Sequence, residues 1–263
     1  GWLRWAGIEV QGPIKDTMLA APLLNENRRF YNLNSLAGEY LSEWKNEKML
    51  KTAAEMYGVD AKNGMWRLHA NFVGRYAEQD ASVTLRLWDY LRTELVKQEC
   101  EGIFDLESKL IPVLLDMKTK GVRVDIEKAE KVKKELIKKE HSLLKEVKEI
   151  TGVLVEPWTA TSIAQAFDAP SFTKQFLSNH SHPIAHKILK LREFNKANTT
   201  FIETILGHSH NGYIHCDFNP LRSDDGGTVT GRFSSSNPNL QQIPSRDPEI
   251  KSMIRGLFIP EDD

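Results

Sequence analysis

Cysteine is nearly absent from this 263-residue chain: Cys100 and Cys216 are the only two, and they lie far apart. That excludes a disulfide scaffold and fits a reducing compartment, so a cytoplasmic location is expected, the host cytoplasm if the source is viral. No apolar run is long enough for a membrane-spanning helix, and no membrane partner is expected. Charge of one sign is also lacking. The 35 Lys and Arg stand against 36 Asp and Glu, a net charge of −1, so any contact with nucleic acid has to come from local patches. The N-terminal Gly1-Trp2-Leu3-Arg4-Trp5 has neither an initiator Met nor the apolar core and small-residue cleavage site of a signal peptide. The expectation is that the chain begins inside a larger protein. What is present is ordinary globular composition, 40% hydrophobic and 27% charged, enough for one large domain or two small ones and unlike a disordered chain.

Helical signals dominate the first four-fifths. Asp16 is placed to cap a helix over residues 17–24, and residues 33–41 read as a second short helix. In residues 71–98, Val73, Tyr76, Ala77, Asp80, Val83, Thr84, Leu87, Leu91 and Leu95 recur at helical steps, with Asp80 interrupting the apolar stripe. A helix from Leu106 to Lys120, ended by Gly121, carries Pro112, which predicts a kink or an early break. Gly121 to Asp125 reads as a turn and short strand. Asp125 then caps a long helix to Ile150, closed by Gly152. Residues 153–183 read as irregular, with Pro157, Pro170 and Pro183, and a further helix fits Pro183 to Leu206. From Gly207 the texture turns to Gly, Ser, Asn, Asp and Pro, with β-prone stretches at Tyr213 to Cys216 and Ile254 to Ile259.

Two constellations carry chemistry. The loop from Thr228 to Pro244 is dense in hydrogen-bonding side chains and places Arg232 directly after Gly231. Glycine lets backbone pass close to a ligand, and arginine presents a fork of donors suited to phosphates or to minor-groove acceptors. On composition alone, a polar surface loop rich in Asx turns is the simpler reading. The second is Tyr76, Asp80 and Thr84, four apart and so on one helix face. A carboxylate on a core-facing stripe has to be paired, hydrogen-bonded or metal-bound; the plainer reading puts it at the rim of the core. His208, His210, His215 and Cys216 are four potential zinc ligands close in sequence, but their spacing is not that of a zinc finger.

Thr228 to Pro244 resembles the signature T-G-R-L-S-S-x-x-P-N-L-Q-N-I-P of family A, DNA polymerase I-like DNA polymerases, with Phe233 for Leu and Gln242 for Asn. The resemblance implies that Arg232 touches the minor groove of the primer terminus, whose acceptors are nearly the same for every correct pair, so the contact tests pair shape. It also places Thr230, Ser234, Asn239, Gln241 and Gln242 near the template–primer duplex. Tyr76-Ala77-Glu78-Gln79-Asp80 is similar to the third motif, Y-x-x-x-D, of proofreading 3′–5′ exonucleases. By that resemblance Asp80 is a catalytic residue that binds a divalent metal, and Tyr76 orients the attacking water. Residues 16–20 and 33–41 look like the family's segments between the second and third exonuclease motifs, whereas the first motif, a D-x-E upstream of them, is not found there. Leu110 to Met117 and Gly121 to Asp125 are similar to the family's thumb base, and Leu191 to Phe201 resembles the thumb helix that tracks the minor groove, which makes Arg192 and Lys196 phosphate contacts. The eight lysines of the long helix share it with six glutamates, and for most a solvated face of i,i+4 pairs is the better reading.

The resemblance implies an α+β fold, mostly α. The expected parts are a partial ribonuclease H-like exonuclease domain (residues 1–100), a connector at the thumb base (101–125), a helical thumb (126–210) and the first strands of a polymerase palm (211–263). It implies a phage-type replicase segment that binds primer–template DNA and, in the complete enzyme, deoxynucleoside triphosphates and Mg²⁺ or Mn²⁺, with no metal held tightly by this stretch. The chain stops before the palm motif D-Y-S-Q-x-E. The segment is therefore expected to need the remaining polymerase segments for catalysis; the alternative is a non-catalytic DNA-binding module.

Overall fold

The computed structural model describes residues 2–224 and 226–261. In chain order the elements are α1 (Trp2–Trp5), α2 (Thr17–Leu24), α3 (Leu33–Leu41), α4 (Lys48–Met56), α5 (Ala70–Lys97), α6 (Glu101–Lys120), β1 (Val122–Arg123), α7 (Ile126–Thr151), α8 (Ala160–Ala166), α9 (Lys174–Asn179) and α10 (Pro183–Lys196). A π-helical stretch (Ala197–Ile202) leads into α11 (Glu203–His208), followed by β2 (Ser209–His210), β3 (Tyr213–Ile214), β4 (Asp217–Asn219), β5 (Ser234–Ser236) and α12 (Pro248–Arg255). The chain is mostly helical with few strands. It forms two compact units, one of Gly1–Lys118 with Phe218–Ser236, the other of Thr119–Asp217 with Asn237–Asp263.

In the first unit, Asp16 caps α2 by accepting from Met18 N at 2.8 Å. The apolar stripe of α5 buries Leu87, Leu91 and Leu95 against Leu19, Ala20, Ala21, Leu36 and Phe104. Each such leucine contributes about 1.5–3 kcal/mol by leaving water. Nearer its start, α5 sets Phe72, Val73 and Tyr76 beside Leu50, Ala53 and Ala54 of α4 and Leu68. Of the kink or early break expected at Pro112, the early break is absent: α6 runs unbroken from Glu101 to Lys120. Proline removes one donor from the ladder, and here the flanking turns carry the helix past it. The stretch from Phe218 to Ser236 returns to this unit. Leu221 joins the core, and Asp224 accepts from Tyr31 N and, at 2.7 Å, from Asn32 Nδ2. Gly227 (φ +87°) has the Leu221 carbonyl oxygen 2.0 Å from where a Cβ would sit, so no other residue fits.

In the second unit, Asp125 caps α7 by accepting from Lys128 N at 2.8 Å, and α7 closes at Gly152. β1, β3 and β2 form an antiparallel sheet, with Val122 opposite Ile214 and Ser209 also opposite Ile214. Gly121 (φ +76°) passes the His215 ring, which lies 2.8 Å from an ideal Cβ position. One core gathers Val124, Ala129, Val132, Leu136, Phe194, Ile205, Ile250, Ile254 and Leu257. A second gathers Val147, Ile163, Phe167, Leu177, Ile184, Ile188 and Leu191. The Pro-rich stretch read as irregular thus holds two short helices, α8 and α9, each burying one aliphatic residue, Ile163 and Leu177. The β-prone stretch from Ile254 to Ile259 is corrected: Ile254 and Arg255 end α12, and Phe258 alone bridges to Val124. Asp247, which accepts from Ile250 N at 2.9 Å, starts a helix there and overrides the β-prone composition.

Candidate functional site

Helix α5 carries Tyr76 and Asp80 one turn apart, where its stripe passes from the α4 side to the main core. The Asp80 side chain is 28% exposed, at the rim of the core rather than inside it. Its partner lies on the segment between α3 and α4. Lys45 Nζ sits 2.8 Å from one Asp80 oxygen and 2.9 Å from the other, and donates to Tyr76 Oη at 3.1 Å. The same ammonium lies 4.9 Å from the centre of the Tyr76 ring. Two bonds fix this segment: Lys45 N donates to Asn34 Oδ1 at 3.0 Å, and Asn46 N donates to Gln79 Oε1 at 3.2 Å. Burial works against the charge on Lys45, but the bonds it donates to Asp80 and Tyr76 outweigh it and raise its pKa. The structure thus joins the two sequence-predicted residues through a third that the sequence reading missed. Lys45 lies 35 residues from Asp80, and no local pattern links them.

A divalent ion on Asp80 does not fit this arrangement. Magnesium needs oxygen ligands at about 2.0–2.1 Å and usually more than one carboxylate or phosphate. Here one carboxylate has both oxygens turned to an ammonium, and among the described residues no three His, Cys, Asp or Glu side chains are placed to share a metal. That statement covers His208, His210, His215 and Cys216, the last of which is buried.

The polar loop is built in two parts, one in each unit. In the first unit, Asn219 Nδ2 donates to Ser234 Oγ at 3.3 Å and Ser236 Oγ at 3.1 Å, tying β4 to β5. Thr228 Oγ1 donates to the Arg232 carbonyl at 2.8 Å and contacts Thr230 Oγ1 at 3.2 Å. This closes a turn about Gly231 that leaves Thr230 and Arg232 exposed. In the second unit, Asn239 Oδ1 accepts from Gln241 N at 3.0 Å and opens a 3₁₀ turn. Leu240 and Ile243 of that turn pack on the core while Asn239, Gln241 and Gln242 face out.

On α10, Lys196 is exposed in the last turn. Arg192, one turn earlier, is placed otherwise than expected. Its Nε donates to the Pro157 carbonyl at 2.6 Å, its Nη1 to the Phe172 carbonyl at 2.7 Å, and its guanidinium lies 5.3 Å from the Trp158 ring centre. Burial lowers its pKa. These donors fasten the Pro-rich stretch to α10, so a phosphate contact is not what this arrangement offers. Farther along, Lys190 and Lys139 lie over Phe194 and pair with the start of α12: Lys190 with Asp247 at 2.8 Å and Glu249 at 3.3 Å, Lys139 with Glu249. Lys139 also pairs with Glu135 at 2.9 Å and Lys145 with Glu149 at 3.8 Å, so part of the lysine-rich face of α7 is an i,i+4 ladder.

Residues 2–96 match the model of a 3′-5′ exonuclease, and residues 114–263 match that of DNA polymerase family A. The chain belongs to DNA polymerase family A. It is 34% identical, over 94% of its length, to a DNA-directed DNA polymerase of Pseudomonas phage M6, of which it covers 40%. It is 31% identical to the DNA polymerase DpoZ of Salmonella phage PMBT28, covering 94% of this chain and 45% of that one. It is 29% identical to DNA polymerase I of Bacillus subtilis, covering 99% and 30%. The chain thus spans less than half the length of these relatives. A solved polymerase domain of Pol1 from M. smegmatis, in complex with a DNA primer-template and dNTP, shares the fold with a TM-score of 0.77 at 22% identity, over 98% of this chain and 43% of that one. Among the described residues no helix is long and apolar enough to cross a membrane.

Proposed function

We propose that this chain is a segment of a template-directed DNA polymerase with 3′–5′ proofreading, used in DNA replication, and that it holds primer–template duplex. The observation that carries the reading is the turn Thr228–Arg232: its internal bonds leave Thr230 and Arg232 exposed within the stretch that matches the polymerase family. Arg232 reads the minor groove at the primer end, where a fork of donors meets acceptors common to all correct pairs. Ser234, Asn239, Gln241 and Gln242 supply further polar contacts, and Lys196 meets a phosphate. Arg192 holds the Pro-rich stretch through its bonds to Pro157 and Phe172 and supports the duplex only indirectly. Deoxynucleoside triphosphates and Mg²⁺ or Mn²⁺ belong to the complete polymerase. Within the nuclease part, Tyr76 and Asp80 are the residues of the third exonuclease motif.

The test is binding of a labelled primer–template duplex across a salt series. Lys196→Ala is expected to weaken binding and to reduce the salt slope by about 1, the mark of one lost phosphate contact. Arg232→Ala is expected to cost about 1–3 kcal/mol at a paired primer end and less on a blunt duplex that offers no primer terminus. Binding indifferent to salt and to both changes rejects the assignment. A chain that binds duplex equally well with and without a primer end is a general DNA-binding module instead.

A further inference from the structure

We propose that Lys45 is a resident counter-cation of the exonuclease motif: its ammonium occupies the face of Asp80 on which a divalent ion would sit, and a metal reaches that carboxylate only when Lys45 withdraws. The inference rests on reading Tyr76 and Asp80 as that motif.

Lys45 Nζ lies within 2.9 Å of both Asp80 oxygens, so it straddles the carboxylate as a bound cation does, and its third contact, at 3.1 Å, is the Tyr76 hydroxyl. A metal about 2.1 Å from either oxygen would share that oxygen with a positive charge less than 3 Å away, hydrogen-bonded to Oδ2 and ion-paired with Oδ1. Like charges this close repel strongly where water is thin, and the Lys45 side chain is 12% exposed. The lysine is not a loose surface group swung onto the acid. Its own backbone N–H is bound by Asn34, the next residue's by Gln79, and its charge rests on the Tyr76 ring. Lys45 also lines an open cleft of about 600 Å³ with Asn34, Asn46, Glu47, Lys48, Lys51 and Glu55. That gives the ammonium somewhere to go: a swing from Asp80 into the cleft exposes the carboxylate without moving α5. The arrangement therefore gates cation access while keeping Asp80 and Tyr76 in register.

The experiment is manganese-induced broadening of backbone amide NMR signals on the full chain, which registers weak binding at a known position. In the native chain, signals of residues 76–84 should be broadened no more than in Asp80→Asn. In Lys45→Met, the same signals should broaden several-fold more, and the gain should vanish in Lys45→Met/Asp80→Asn. Lys45→Arg keeps the charge and should behave as the native chain. If the native chain already shows broadening that Asp80→Asn removes, Lys45 does not screen the carboxylate and the proposal falls, while Asp80 stands as a metal ligand. If no variant shows broadening that depends on Asp80, the proposal and the metal-ligand reading fall together. The native chain against Asp80→Asn is informative even if Lys45→Met does not fold.

Discussion

Glu107 shows how a single buried group writes itself into stability. It is 9% exposed on α6, and its Oε2 has no hydrogen-bond partner among the described residues. Burial raises its pKa. The folded chain therefore holds this proton more firmly than the unfolded chain, and the sign follows by linkage: stability falls as pH rises from the unfolded carboxyl value through the raised folded one. Between about pH 4 and pH 7, urea denaturation of Glu107→Gln should lose this downward slope and give a more stable protein than the native one at the upper end. A variant that keeps the native slope would show that Glu107 is ionised without cost. Lys45 makes the complementary point about what a residue list from sequence contains. Tyr76 and Asp80 are legible because they share a helix face; the lysine that pairs with them is not, because it comes from another segment and only the packing of α3 and α4 on α5 brings it there.

At the scale of elements, legibility follows local chemistry. The helices α2, α3, α5 and α7 announce themselves through caps and periodicity, and Asp16, Asn32 and Asp125 do accept the amides that cap geometry requires. Helix α4 was not legible: its N-terminal Glu47 makes no side-chain cap bond, and its buried face is only Leu50, Ala53 and Ala54. Helices α8 and α9 were hidden by neighbouring prolines and by their length of seven and six residues, too short for a period to register. Ile254 to Ile259 failed for the opposite reason, since β-prone composition lost to the cap at Asp247 and to the core around Ile254. The caps can be weighed directly. Asp125→Ala removes the acceptor for Lys128 N and should cost about 1 kcal/mol. Asp125→Asn, which keeps an acceptor, should recover most of it. A shift in urea midpoint at constant slope measures both, and equal losses from the two variants would assign the effect to charge rather than to the cap.

Within the second unit, the charges that join α7, α10 and α12 predict acid sensitivity. The bond from Lys190 and then the Ile250 amide hold the Asp247 carboxyl below its ordinary range, and the bond from Lys139 does the same for Glu249. A depressed carboxyl stabilises the fold above its unfolded pKa, and that stability is lost as pH falls through the lower folded value. Acid unfolding of the native chain should therefore steepen below about pH 4, and Lys190→Met should flatten that limb while lowering stability at neutral pH. The partial exposure of these groups keeps the effect small, and salt should reduce it further.

At the scale of the whole molecule, the chain enters each compact unit twice, so a unit is complete only when distant stretches meet. In the first unit the late stretch brings Leu221 into the core and Asp224 onto the Tyr31 amide and Asn32. Tyr31 is fully buried, so an unpaired amide beside it carries a desolvation cost. Asp224→Ala should then lower the stability of this unit by about 1–3 kcal/mol, and Leu221→Ala by about 2–5 kcal/mol because it leaves a cavity. Native-state hydrogen exchange reads the loss where it belongs: protection should fall across α2, α3 and the core-facing part of α5, and stay unchanged in α7 and α10 of the second unit. A uniform fall over both units would mean that they unfold as one. No fall in either would mean that residues 218–236 decorate the first unit without completing it, and that residues 1–118 already hold everything its core needs.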